Sequence, residues 1–513
     1  MKRFTKLFSV LLALLMVVSV FASCTNDEPQ ESKPQATSPT TTPAATTPSQ
    51  SSNNPEATTP TPESSKADLE NMLPPKMELD KDMAVLVGDL YYDEWLAADD
   101  GDIVGTELYG RVLRVEDRLG IELDFEQYKG TDRAVAMEEV KKRQESTDPN
   151  LIVEAVSTYS QYAGTLTLEG RYQNMNNSDN INFDNPWWPA DLMVNSIIDD
   201  KLYFVSGDIS PTLIYETYAI FYNLELVEKY NIGNPIDLVN DYEWTLDKLI
   251  EVTTDIYEDT DTTITGPNVG DFFAFNFNDG AHNKALPFAM GIRVIEPDED
   301  DGYAWSELYT GQRMETICDK VGAWVLNNPG VRSQDETGYG DYGVSFKNGL
   351  CIFNLGNFAY ASHYLQGMGV DYGVVPCPLF DGDQEQYYSY YGNPTSFWGV
   401  PTNADIDDAC ALVEYLAADA YVYISPALFE RALKFKYITG EVDGLSKMFD
   451  IIRDGLVFDA CMFYNEKIGG AYNQFTNITS GLSSWSAQFV GFKTAAMKTS
   501  LKTVVTKLRD LQY

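Results

Sequence analysis

Aromatic rings beside carboxylates and amides recur along this chain of 513 residues, which holds 32 tyrosines and 8 tryptophans. Residues 89–95 read DLYYDEW, so Asp89, Tyr91 and Trp95 offer rings and carboxylates in one short stretch. Ser157 with Tyr159, Tyr218, Asn357 with Phe358, Tyr391, Trp398 and Trp485 extend the set. Sugars present a flat apolar face and a rim of hydroxyls, and such residues supply stacking platforms with hydrogen-bonding partners for both. Each ring also has a plain packing role to weigh against this. Trp187 and Trp188, between Pro186 and Pro189, read more readily as a loop anchor, and Trp244 before Thr245 as a packing residue.

Other chemistries find little support. The two histidines, His282 and His363, are too few for a histidine cluster. After Cys24, the cysteines at 318, 351, 377, 410 and 461 are scattered and odd in number, so they read as small apolar residues and not as a metal site. The acidic run 296–302 (EPDEDDG) puts Pro297 and Glu299 where a calcium loop needs its first and third ligands, and reads as a solvated turn. No Gly-x-Ser-x-Gly, His-Glu-x-x-His or Gly-Lys-Ser phosphate loop occurs. With 77 acids, any carboxylate pair is available as a glycosidase dyad by chance alone. No cofactor is expected. A formal charge of −41 repels phosphate backbones and anionic headgroups, which argues against nucleic-acid binding and polybasic membrane docking.

The elements that must position these residues begin after a long leader. Lys2, Arg3 and Lys6 precede the apolar run Leu7–Phe21, short for a membrane span and fitted to an export signal. Thr25 to about Lys76 is rich in Ser, Thr, Pro, Ala and Asn and buries too little to fold, so it reads as an extended tether. Then Met83–Val87 reads as a buried strand, and Leu108, Val112, Val115 and Leu119 as a helical stripe closed by Gly120. Ile121, Leu123 and Phe125 alternate as a second strand, and Leu151–Val153 after Asp148-Pro149 is expected to be a third. Strand–helix–strand order argues for a parallel α/β sheet. Asp405 is expected to cap a helix with Ile406, Ala409, Val413 and Leu416 inside, and Met497, Leu501, Val504, Leu508 and Leu511 line a last helix.

Several motifs together resemble a known family. Phe21-Ala22-Ser23-Cys24 resembles the lipobox of bacterial lipoproteins, in which Cys24 would receive the lipid; Phe21 departs from the commoner Leu. Met83–Val87, 148–153 (DPNLIV), 218–223 (YAIFYN), Trp244-Thr245, 347–353 (KNGLCIF) with Asn357-Phe358, 371–376 (DYGVVP) and 397–401 (FWGVP) look like extracellular solute-binding proteins of family 1, in order, over roughly residues 80 to 490. Those are the capture subunits of carbohydrate-type ABC importers. Cys351-Ile352 departs from the usual Ala-Met, and 255–345 matches no motif of the family.

The resemblance implies a type II periplasmic-binding fold of the α/β class, with two discontinuous lobes, a hinge and an interlobe cleft. Its implied layout is a signal peptide at 1–23, a tether at 24–76, lobe 1 at about 77–217 and 381–425, and lobe 2 at about 224–375 and 426–513. Tyr218–Asn223 and roughly Val374–Phe380 would be the crossing strands. It places ligand contacts after the first strand, at Asp89, Tyr91 and Trp95, and a stacking aromatic at Phe358. The implied protein is not an enzyme. It would be a monomer on the outer face of a bacterial cell membrane, held there only by its lipid, that passes an oligosaccharide to permease subunits. A secreted glycoside hydrolase and a carbohydrate-binding adhesin are the alternatives.

Overall fold

The computed structural model describes residues 66–512, apart from 89–93, 96–101, 129–133, 335–339, 430–443, 482–483 and the single positions 266, 269, 279, 281, 301, 366, 496 and 498. Cys24, Asp89 and Tyr91 lie outside the described residues. A short helix α1 (Lys66–Glu70) leads into β1 (Lys81–Gly88), α2 (Ile103–Leu119), β2 (Ile121–Tyr128), α3 (Ala134–Glu145), β3 (Ala155–Tyr159) and α4 (Ser160–Leu168). Helix α2 forms because Asp102 accepts the first free amides, from Val104 and Gly105, while Leu108, Val115 and Leu119 share one buried face. Gly120 ends it at φ 65°, a left-handed geometry that glycine adopts without steric cost.

Strands β1, β2 and β3 are parallel, and β12 (Ser396–Gly399) runs antiparallel beside β3, giving the order β12-β3-β1-β2. The expected third strand at Leu151–Val153 is displaced. Asp148 caps a 3-10 turn at Pro149–Leu151, and the strand starts at Ala155.

Between β3 and β12 the chain builds a second sheet. Helices α5 (Ala190–Ser196) and α6 (Pro211–Tyr215) are followed by β4 (Tyr218–Asn223), α7 (Leu246–Thr253), β5 (Tyr257–Glu258), β6 (Phe272–Asn278) and α8 (Ala285–Ala289). After the hairpin β7 (Ile295–Asp298) and β8 (Gly302–Trp305) come α9 (Gln312–Asn327), β9 (Val331–Gln334), α10 (Gly340–Lys347), β10 (Cys351–Asn357), α11 (Phe358–Tyr364) and β11 (Tyr372–Val375). The sheet order is β11-β4-β10-β6, with β5 and β9 both on the outer side of β6. Strands β4, β6 and β10 are buried along their whole length, as near-continuous apolar runs demand.

Each sheet centres one lobe. The chain passes between them at Thr217, which bridges Tyr391 of the returning segment. Tyr218–Asn223 and Val374–Val375 therefore lie wholly within the second sheet, not across the hinge. The crossing falls just before the first of these segments and well after the second.

Two departures concern the ends. The folded body takes in residues 66–76, which were expected in the tether, because Leu69 is buried and Leu73 packs against the core just ahead of Met77. Met77 and Leu79 donate backbone hydrogen bonds to Arg118 and Leu119, and Arg118 donates to the Pro74 carbonyl at 2.7 Å. Residues 426–513 were expected in lobe 2, yet they divide. Ahead of this range, helix α12 (Ile406–Asp419) packs on α2; within it, α13 (Leu445–Asp454) packs on β11, whereas α14 (Ala460–Tyr464) packs on α4. Helix α15 (Trp485–Ala495) lies on α9, and α16 (Ser500–Asp510) returns to α4. No helix of the described residues is long and apolar enough to cross a membrane.

Candidate functional site

Open parallel sheets place ligands beyond the carboxyl ends of their strands. In lobe 1 these ends are Gly88, Tyr128 and Tyr159; in lobe 2 they are Asn278 and Asn357. Tyr159, through its neighbour Ser160, and Asn357 lie at the crossing. Asn357 pairs with Tyr218 in the ladder, and its amide Nδ2 donates to Glu216 Oε2 at 2.9 Å. The backbone amide of Gly392 donates to the Glu216 carbonyl, and Asn393 Oδ1 accepts from Ser160 Oγ at 2.9 Å in the first turn of α4. Two residues of chain thus link the strand ends of one lobe to those of the other.

The close approach at Gly392 sets this geometry. A Cβ there would lie 2.3 Å from Glu216 Oε2 and 3.2 Å from the Tyr218 hydroxyl. Only a residue without a side chain lets the carboxylate, the phenol and the loop meet. Glu216 and Asn357 are each 1% exposed, so a carboxylate acceptor is held at the crossing almost free of bulk water. Asn393 Nδ2, by contrast, is a buried donor without a hydrogen-bond partner among the described residues. Asn393 follows Gly392, the backbone partner of Glu216, and the acceptor on Glu216 and the donor on Asn393 are the two hydrogen-bonding roles a hydroxyl requires.

The surrounding rings are neutral. His282 lies 5.3 Å from Tyr218, centroid to centroid, and its Nδ1 is 3.0 Å from the Leu355 carbonyl. A carbonyl only accepts, so Nδ1 carries the proton; burial holds the ring neutral, its pKa lowered to about 4. Phe288 stacks on Tyr390 at 3.8 Å, and Tyr472 lies 6.0 Å from Tyr390 with the Lys284 ammonium 4.8 Å over its face. Phe288, Tyr309, Met314, Tyr472 and Phe475 line a small pocket behind this group.

The expected site residues are distributed unevenly over this frame. Tyr218 pairs with Asn357, which donates to Glu216, and Tyr159 stands half-buried at the end of β3, 6.2 Å from the Tyr162 ring. Ser157 is buried two register pairs inside, opposite Trp398. Trp398 meets Trp95 edge-on at 4.7 Å, and Arg111 lies 5.6 Å from the Trp95 ring; both tryptophans are enclosed in lobe 1. Tyr391 is closed in by Tyr390, Phe397 and Phe458. Phe358 is enclosed between Phe221 and Phe449 in lobe 2. Trp485 packs against Tyr309 and Phe489 on α15, apart from the crossing.

Sequence reading missed Glu216, Gly392, Asn393, His282, Phe288 and Tyr472. The turn signal Gly392-Asn393-Pro394 was the one local hint. Trp188 is an anchor, as its flanking prolines suggest: its Nε1 donates to Glu414 Oε2 at 3.0 Å. Cys318, Cys351, Cys377, Cys410 and Cys461 are buried and free of disulfides. Among the described residues no group of three His, Cys, Asp or Glu side chains is placed to hold a metal.

No protein-family model matches the sequence, and no curated protein does. Solved structures resemble the fold. The cyclo/maltodextrin-binding protein complexed with maltotetraose superposes with a TM-score of 0.52 at 15% identity, over 84% of this chain and 98% of that one. The maltose-binding periplasmic protein MalE from Listeria monocytogenes in complex with maltose gives 0.51 at 15%, over 85% and 100%. The GacH receptor of Streptomyces glaucescens, solved unliganded and with acarbose, gives 0.51 at 13%, over 85% and 100%. The fold is that of the type II periplasmic binding proteins, two α/β lobes about a cleft.

Proposed function

We propose, with this two-lobed fold as the premise, that the chain is the capture subunit of an ABC importer and takes an extracellular oligosaccharide between its lobes. The observation that carries the reading is the likeness over 84–85% of the chain to proteins solved with maltotetraose, maltose and acarbose. The Glu216 acceptor and Asn393 donor at the crossing support it, as hydroxyl partners. Tyr159, Tyr218 and Asn357 join them from the expected set. Capture is non-covalent: closure about the hinge hides the ligand from water, and the closed form is delivered to membrane permease subunits. The chain acts outside the cytoplasm as a monomer, held by a lipid on Cys24 and lifted from the membrane by its tether.

Thermal unfolding against a panel of maltooligosaccharides, peptides and polyamines tests the reading. A ligand at about 100 times its dissociation constant stabilises the fold by about 2.7 kcal/mol, a visible shift. The expected result is a shift with one sugar class that is recovered intact. Cleavage of the sugar would replace capture by hydrolysis, and a shift with peptides or polyamines alone would replace the ligand class. For the anchor, Cys24→Ala should release the protein into the medium; a variant that stays on the membrane contradicts it.

A further inference from the structure

The chain passes between the lobes more often than the single Thr217–Tyr391 bridge requires. After α13 on β11, residues 455–457 lead to α14 on α4. After α8, the hairpin β7–β8 leaves lobe 2 and packs on α5, α14 and α16. Its Tyr303 hydroxyl donates to the Asn195 carbonyl at 2.6 Å, and Arg509 of α16 donates to the Asp300 carbonyl at 3.1 Å.

These passing segments are joined side by side. Thr217 bridges Tyr391. Ser389 bridges Leu456, with the Ser389 amide on the Gly455 carbonyl at 2.7 Å and the Val457 amide on the Ser389 carbonyl at 3.0 Å. Asp459, fully buried, then turns to the root of the hairpin. Its Oδ2 accepts the Val294 amide at 2.6 Å and its Oδ1 the Ile295 amide at 3.3 Å. The same carboxylate accepts the Cys461 amide at 2.8 Å, capping α14.

We infer that the hinge is a band of four segments, 216–218, 389–392, 455–459 and 292–295, and that Asp459 is the clasp that binds the hairpin arm into it. A pair of crossing strands can twist as well as bend. A laterally bonded band resists twist and shear and leaves one soft axis, bending across its width. Asp459 acts through its position, holding two backbone donors at the root of a hairpin that belongs to neither lobe's sheet. The inference stands on the two-lobed fold and not on solute capture, so a failed ligand panel leaves it untouched.

The test is the distance distribution between spin labels at Lys142→Cys on α3 and Leu326→Cys on α9, both solvent-exposed positions, in the full chain. With Asp459 present, one narrow population is expected; Asp459→Ala should broaden it, while Leu69→Ala, away from the band, should not. Equal widths in all three would overturn the clasp. Amide exchange in the unsubstituted chain gives a readout without a variant at Asp459. Losing charge-assisted bonds to a carboxylate corresponds to roughly a 10- to 100-fold change in opening, so Val294 and Ile295 should exchange at least about 10-fold slower than the hairpin-tip amide of Glu299. Exchange as fast as the tip would overturn it as well.

Discussion

Replacing Gly392 by alanine tests whether the crossing is as tightly built as the distances say. The new Cβ would sit 2.3 Å from Glu216 Oε2, well inside contact, and 3.2 Å from the Tyr218 hydroxyl. Glu216 has little freedom to retreat, since it is buried and Asn357 Nδ2 donates to it at 2.9 Å. Inserting one carbon into a packed interior costs roughly 1–3 kcal/mol. If the carboxylate swings away instead, the lost hydrogen bond to a charged group costs about 1.5–3 kcal/mol. The loss on urea unfolding should therefore fall near 2 kcal/mol, and the same substitution made with Glu216→Ala should cost at least about 1 kcal/mol less, a coupling expected of residues in contact. A loss under about 0.5 kcal/mol, or strict additivity of the pair, would refute the idea that Glu216 is pinned.

Three further outcomes follow from burial and hydrogen bonding. Glu94 is buried under hydrogen bonds from Thr212 and Ser396, and burial raises its pKa to about 7 from 4.5. Between those values the folded state holds the proton that the unfolded state has released, so this group makes stability fall as pH rises from about 4.5 to 7. Glu94→Gln should flatten that part of the stability–pH curve, measured by urea unfolding at each pH; an unchanged slope would rule the group out. His282, held neutral with a pKa of about 4, should show ring resonances that stay fixed from pH 6 to 8, easily followed in a chain with two histidines; a titration midpoint near 6.5 would mean the ring is solvated. Trp188→Phe removes one donor from the buried Glu414 carboxylate and should cost about 1–3 kcal/mol, whereas a loss within experimental error would mean that Asn185 and Asn182 suffice.

Local patterns carry far when the physics is local. The stripe Leu108, Val115, Leu119, the Asp102 cap and the Gly120 stop define α2 within a few residues of chain. Asp405 accepts from Asp407 and Asp408 at the start of α12, and β10, β11 and β12 fall on the motifs at 347–353, 371–376 and 397–401 that resemble those of the solute-binding family. The tether boundary falls too late in the sequence reading because composition averages over a window, while α1, with Leu69 buried, needs only the surface at residues 420–424 to pack on. β3 was drawn too early because Leu151 is apolar, yet the Asp148 cap turns that stretch into a 3-10 turn first.

The functional rings show where sequence alone gives out. Phe358 and Trp95 have the composition of stacking platforms, but whether a ring faces a cleft or a core depends on what packs on its other side. Phe449 and Trp398, distant in sequence, close those faces. Glu216, Gly392 and Asn393 carry no motif between them. They come together because segments 174 residues apart bridge at Thr217 and Tyr391, and such a register is set by burial on both faces of two sheets at once. Sequence by itself determined the strand–helix order, the apolar faces and the acid-rich surface, since these depend on neighbours a few residues away. Tertiary structure alone decided the crossing, its buried carboxylate and the Asp459 clasp, because backbone donors and acceptors far apart in the chain find partners only once both lobes have formed.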